Sequence, residues 1–190
     1  MEFANNTIKL DKEINELDRL VINFVRLFEK CTSYVIVSGY VAILLGRDRG
    51  TEDIDIIIPK IDKQKLSEIY NVLLDNGFWC LNSSDINDLF ELLASKGSIR
   101  FALEPKISPN FEIKFSKDSY DDMALKNPIT VILGDEELKT SFLELQIAFK
   151  EEVLKSNKDI EDANHIRLMA KGHLNENLIN EYKIKLKNRK

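Results

Sequence analysis

The chain has 190 residues, 44% of them hydrophobic and 31% charged, with a formal net charge of -5. That length suits one globular unit, or one domain with a helical appendage, which buries roughly 70% of its unfolded surface without needing a disulfide or a metal to fold. Cys31 and Cys80 lack the spacing of a secreted disulfide framework and the number for a four-ligand zinc site, so a reducing cytoplasm is expected. The acidic balance disfavours non-specific duplex binding as the main activity, although Lys183 to Lys190 is locally basic and is expected to be a frayed helix end.

Met1 to Asp11 has no basic region followed by an apolar run, so no signal peptide is expected. Leu10, Ile14, Leu17, Val21, Phe24, Val25 and Phe28 recur at steps of three and four, which predicts a helix over 10–30. Tyr34 to Val37 follows as a buried strand, ended by Ser38-Gly39, and Tyr40 to Leu45 is a short helix closed near Gly46. The apolar run 34–45 is too short to span a membrane, which takes about 20 residues. Asp53 to Ile58 is a second strand, stopped by Pro59. Leu66 to Leu74 marks a helix, Phe78 to Leu81 a strand, and Ser84 caps a further helix that stops at Gly97. Strands are expected at Ile99 to Leu103 and Phe111 to Phe115, with a short helix beginning near Asp121-Asp122. After the apolar segment Ile129 to Leu133 and a turn at Gly134-Asp135, the pattern becomes helical, with stripes through Phe142 to Val153, Ile160 to Met169 and Leu178 to Tyr182. The chain therefore divides near Asp135 into a mixed front, 1–135, and a helical back, 136–190.

Side chains alternate faces along a strand, so Asp53 and Asp55 project from one side with Cα atoms roughly 6.5 to 7 Å apart. Two carboxylates on one rigid edge can hold divalent cations, and two-metal phosphoryl-transfer sites space their ions about 3.5 to 4 Å apart. Mg²⁺ suits such oxygen donors because it keeps waters for substrate phosphates. A third acid from a neighbouring strand would assist an attacking hydroxyl, and Glu112 in Phe111-Glu112-Ile113-Lys114-Phe115 is the best-placed candidate. Upstream, Ser38-Gly39 stands at a strand-to-helix junction, where backbone N–H groups favour phosphate oxygens and Gly39 permits close approach.

Ser38-Gly39, thirteen further residues, then Asp53-Ile54-Asp55-Ile56 resembles the signature of the nucleotidyltransferase superfamily that includes DNA polymerase beta. Gly46 to Asp55, with Arg49 and Thr51, is similar to the AbiEii-type and other minimal nucleotidyltransferases of toxin–antitoxin systems, and Phe111 to Lys114 to their third-acid strand. Lys150 and the run Lys158-Asp159-Ile160-Glu161-Asp162 resemble the C-terminal lysine and acidic motif of that family. The resemblance implies an α/β nucleotidyltransferase fold, a small mixed sheet flanked by helices and followed by a helical C-terminal segment. It implies transfer of a nucleoside monophosphate from an NTP to an acceptor hydroxyl on a protein, an RNA end or a small molecule. Asp53, Asp55 and Glu112 would be the catalytic and metal-binding acids, holding two Mg²⁺ ions. Ser38, Gly39, Arg49, Thr51, Lys150 and Lys158 would bind nucleotide, although Arg49 and Thr51 also suit a brace for the loop before Asp53. A partner toxin or antitoxin is a further implication, and the alternative is a binding protein of this fold without turnover. Two positions depart from the usual pattern: Ser38 replaces the first glycine of the turn, and Glu112 stands where aspartate is commoner. Asp159 and Asp162 share a helix face and suit capping or surface charge, while His165 and His173 are expected to be structural.

Overall fold

The computed structural model describes residues 1–188. The chain opens with β1 (Glu2–Ala4), β2 (Thr7–Leu10) and α1 (Glu16–Glu29), then runs through β3 (Val35–Val37), α2 (Gly39–Leu44) and β4 (Asp53–Ile58). It continues through α3 (Lys63–Asp75), β5 (Phe78–Cys80), α4 (Ile86–Ala94), β6 (Ile99–Leu103), β7 (Asn110–Phe115) and α5 (Ser119–Lys126). A hairpin of β8 (Ile129–Leu133) and β9 (Glu136–Thr140) leads to α6 (Leu143–Phe149), a π-helical turn at Lys150–Leu154, α7 (Asn157–Met169) and α8 (Glu176–Lys187). Among the described residues the strands form one nine-stranded mixed sheet in the order β1-β2-β8-β9-β3-β4-β7-β6-β5.

The two faces of the central strands differ in chemistry. β4 and β7 run parallel in a register that sets Ile54, Ile56 and Ile58 opposite Phe111, Ile113 and Phe115. That apolar face is covered by helices: Phe24 of α1 stacks on Phe111 with centroids 3.7 Å apart, Tyr70 of α3 meets Phe101, and Phe90 of α4 meets Phe115. The same register sets Asp53 opposite Asn110 and Asp55 opposite Glu112, so the polar side chains of both strands share the other face.

Three expectations are corrected. The opening helix starts at Glu16 instead of Leu10, because Asn15 and Asp18 form a reciprocal capping box: the Asn15 side chain accepts from the Asp18 N–H at 2.9 Å and the Asp18 carboxylate accepts from the Asn15 N–H at 3.1 Å. Ile8 and Leu10 are buried while Lys9 is exposed, a period-two pattern that belongs to a strand. The helical pattern expected directly after the turn at Gly134-Asp135 is preceded by a strand: that turn joins the β8–β9 hairpin, and β9 runs in the sheet beside β3. Leu138 and Thr140 are buried on that strand, so the helical part begins at Leu143. The cap of α4 is Asp85, whose carboxylate accepts from the Asn87 N–H at 2.7 Å, and not Ser84. Of the basic tail, Lys183 to Lys187 lie in α8, where Lys183 pairs with Glu151 at 3.0 Å; residues 189 and 190 lie outside the described residues. No helix among the described residues is long and apolar enough to cross a membrane.

Asp18 links the first helix to the turn that leads to the acids. It is fully buried, accepts from the Lys12 ammonium at 3.0 Å, and accepts from the hydroxyl of buried Tyr40 at 2.8 Å. Burial and the Asp18 charge push the Tyr40 phenol far above its ordinary value, so it stays a donor. Removing the acceptor leaves that hydroxyl and the N–H of the cap residue Asn15 unsatisfied. Asp18→Ala is expected to lower unfolding free energy by about 2 to 3 kcal/mol in urea titration, and Tyr40→Phe in the same background to add much less than it costs alone.

Candidate active site

Every sequence-selected residue except Glu112 and Lys150 lines one open groove beside β4, bounded by Ser38, Gly39, Arg49, Thr51, Asp53, Asp55 and Lys158. Glu112 is buried on β7, opposite Asp55 in the strand register. Lys150 lies behind it, lining an adjoining cavity of about 300 Å³ together with Ser38, Asp55, Lys114, Tyr120 and Gln146. Ser38 and Asp55 border both spaces.

Ser38 ends β3 with φ +66° and ψ -135°, a region that side chains other than hydrogen rarely enter. Its N–H donates to Gln146 Oε1 at 3.1 Å, and Gln146 in turn donates to Ser141 Oγ at 3.0 Å, so α6 holds the strained turn in place. Gly39 has a packing reason in addition to any phosphate: a Cβ there would lie 3.0 Å from Arg49 Nη2. The Thr51 hydroxyl donates to the Asp53 carbonyl at 2.8 Å and braces the entry to β4. Ser38→Gly relieves the backbone strain and is expected to raise stability by about 1 kcal/mol, read by chemical denaturation. A loss of stability would mean that the added freedom of glycine in the unfolded chain outweighs the strain relieved.

Asp53 is exposed and accepts from Asn110 Nδ2 at 2.8 Å through Oδ1. Asp55 accepts from Lys114 at 2.9 Å, also through Oδ1. Glu112 is more deeply enclosed: Oε1 lies 2.5 Å from Lys114 Nζ, and Oε2 pairs with Arg100 of β6. Burial alone would raise the Glu112 carboxyl, but the hydrogen bonds and charges of Lys114 and Arg100 outweigh it and hold the group below its ordinary value. Burial likewise opposes the charge on Lys114, and the Asp55 and Glu112 carboxylates prevail and raise it. Lys114, Arg100 and Asn110 were not singled out from the sequence. Lys114 had a usable signal, since it follows Glu112 by two residues and must share its face.

The helical back meets the groove through a buried charge cluster. Asp162 is fully buried and accepts from Lys150 at 2.8 Å and Arg49 at 2.7 Å, with Arg47 on its other oxygen. Lys150 is 1% exposed and also lies 3.4 Å from Asp159. Burial pushes its ammonium below the ordinary lysine value, against the pull of Asp159. Arg49 is lowered by burial and by neighbouring Arg47. Asp159 joins Ser156 at the cap of α7, while Lys158 is exposed on the groove side. His165 Nε2 contacts the Leu45 carbonyl at 3.1 Å, and His173 stacks on Phe3 at 4.4 Å, both packing roles. Asp162→Ala removes the buried partner that three cations share, leaving Arg47 to Glu161, Lys150 to the more distant Asp159 and Arg49 without a carboxylate among the described residues, and is expected to cost about 3 to 5 kcal/mol in urea unfolding.

No family model matches the sequence, and no characterised protein matches it by sequence comparison. Solved structures do match. The antibiotic-resistance factor ANT(2'')-Ia in solution superposes with a TM-score of 0.56 at 13% identity, over 90% of this chain and 94% of that one. Its crystal structure with adenylyl-2''-tobramycin gives 0.56 at 14%, over 90% and 97%. An antigenic nucleotidyltransferase-like protein from Paracoccidioides brasiliensis gives 0.54 at 19%, over 90% and 87%. MenT4, a nucleotidyltransferase toxin from Mycobacterium tuberculosis, gives 0.51 at 16%, over 88% of this chain and 62% of that one. The chain has the nucleotidyltransferase fold.

Among the described residues, no group of three or more His, Cys, Asp or Glu side chains is disposed to hold a metal ion. The donors nevertheless distinguish two cases. Asp53 and Asp55 both line the groove, and neither Oδ2 has a protein donor among the described residues, so two hard oxygen donors on one strand are available to one divalent cation. Both Glu112 oxygens are already engaged by cations, so the three-acid, two-ion arrangement does not fit the side chains as they stand.

Proposed function

We propose that the protein is a nucleotidyltransferase that moves a nucleoside monophosphate from an NTP to an acceptor hydroxyl. The observation that carries this is the groove itself: Asp53 and Asp55 of β4, each with one carboxylate oxygen uncommitted to a protein donor among the described residues, line it together with the Ser38-Gly39 turn, Lys158 and Arg49. A Mg²⁺ ion held by Asp53 and Asp55 would neutralise phosphate charge and orient the α-phosphate. The chain's own residues do the rest. Lys158 supplies charge for the β- and γ-phosphates, and Gly39 lets them approach the backbone. Arg49, fixed by Asp162, presents a positioned guanidinium instead of a mobile one. The acceptor oxygen bonds to the α-phosphorus as the bond to the β-phosphate breaks, pyrophosphate leaves, and the hydroxyl proton passes to water in the groove. Lys150 acts from behind, holding Asp162 and with it α7 against the site.

The acceptor class is a matter for experiment. The minimal toxin–antitoxin nucleotidyltransferases that the front motif resembles make RNA or protein acceptors and a partner protein subjects for assay, and MenT4 is a nucleotidyltransferase toxin; ANT(2'')-Ia with adenylyl-2''-tobramycin makes a small molecule another. Two free cysteines agree with a cytoplasmic setting. A second reading, a nucleotide-binding or antitoxin-like protein of this fold without turnover, is favoured by strained Ser38 and by Glu112 being fully ion-paired.

Incubation with each α-³²P-labelled NTP, Mg²⁺ and, in turn, RNA, cell lysate or aminoglycoside is expected to label one acceptor class. Asp53→Ala and Asp55→Ala should each abolish labelling and the nucleotide-dependent rise in melting temperature, and change intrinsic stability by less than about 1 kcal/mol. Nucleotide binding without label in any arm would establish the second reading, and absence of nucleotide binding would refute both. Lys158→Ala is expected to weaken NTP binding by about 1.5 to 3 kcal/mol in calorimetric titration, the worth of a charge-assisted hydrogen bond.

A further inference from the structure

Asp55 and Glu112 face each other across parallel strands, and the space between their carboxylates holds the Lys114 ammonium, 2.9 Å from Asp55 Oδ1 and 2.5 Å from Glu112 Oε1. A cation bridging those two acids would need the same oxygens. The opposite side of Glu112 is taken by Arg100, so its carboxylate has to break that ion pair to offer a fresh oxygen. Lys114 is held on the spot by strand geometry: it follows Glu112 by two residues, lies on the same face, and its side chain is only 27% exposed. What remains open is Oδ2 of Asp53 and Oδ2 of Asp55, a pair sufficient for one hard cation that completes its shell with water and phosphate.

We infer that Lys114 is a built-in cation that replaces the second metal ion, so that the nucleotide-loaded site takes a single divalent ion on Asp53 and Asp55. This rests on the nucleotidyltransferase reading and deepens it. A fixed ammonium between Asp55 and Glu112 supplies positive charge on the acceptor side of the α-phosphate without dehydrating a second Mg²⁺, and its like charge repels a second divalent ion. The arrangement also defines what Glu112 does. Ionised and shared between Arg100 and Lys114, it is a positioning residue for the lysine, in place of a proton acceptor. A competing partner for Lys114 is Asp121 of α5, which lines the same cavity and whose carboxyl burial raises above its ordinary value. A swing of the ammonium to Asp121 would vacate the second position.

The test counts ions. With Mn²⁺ and the α,β-methylene analogues of the four NTPs, free Mn²⁺ measured by electron paramagnetic resonance is expected to show one ion bound per bound nucleotide in the wild-type protein. Lys114→Met, close in volume and uncharged, is expected to raise the count to two, because Glu112 and Asp55 are then free to bridge. Lys114→Arg should keep it at one. Two ions in the wild-type protein would overturn the inference and leave the proposed function standing, with Lys114 displaced towards Asp121. A count that stays at one in a folded Lys114→Met protein would also overturn it. Failure of all four analogues to bind the wild-type protein would overturn the inference and the proposed function together.

Discussion

The parallel pairing of β4 with β7 is the constraint on which the rest of the structure depends. Because side chains alternate with a period of two, one register puts Ile54, Ile56 and Ile58 beside Phe111, Ile113 and Phe115 and, unavoidably, Asp53 and Asp55 beside Asn110 and Glu112. A slip by one residue would bury the carboxylates against Phe24 of α1 and expose the aromatic residues. Hydrophobic burial at roughly 25 cal/mol per Å² therefore sets the spacing of the acids, though none of that energy comes from the acids themselves.

On the polar face, charge is managed by enclosure. Three carboxylates near one another would repel, and Lys114, Arg100 and Asn110 offset them in different ways: two by ion pairs, one by a neutral amide. The result leaves the groove side of Asp53 and Asp55 open and closes the side of Glu112. A second cluster, Asp162 with Lys150, Arg47 and Arg49, repeats the pattern in the interior, where desolvation makes a paired charge acceptable and a lone one very costly. It joins α7, from the back of the chain, to the loop that precedes the acids. The helical segment is thus bound to the site by one carboxylate with three cations, and not by apolar packing alone.

Strain and support are paired in the same way at Ser38. Its positive φ is tolerated because Gln146 of α6 accepts from its N–H and Arg49 lies over Gly39. Residues far apart in the chain therefore share the work of shaping one turn, which couples the stability of α6 and α7 to the geometry of the phosphate-facing backbone.

The order of strand, turn, helix and acid-bearing strand was legible because it is local: β-branched runs, a glycine at a junction and the alternation Asp53-Ile54-Asp55 report themselves within a few residues. The sequence by itself determined that two carboxylates share one face and that the chain ends in helices. It did not disclose the strand Thr7–Leu10 or β9, since four or five alternating residues next to a helical stripe carry too little periodic signal. Nor did it decide what each charged side chain does. Lys150 and Lys158 look alike as helical lysines, yet one is 1% exposed and bound to Asp162 while the other stands at the groove. Only the tertiary structure assigned those partners, because a charge acts through whatever lies within a few ångströms of it, and here Lys150 meets Asp162 and Arg49 meets the same carboxylate across more than a hundred residues of chain.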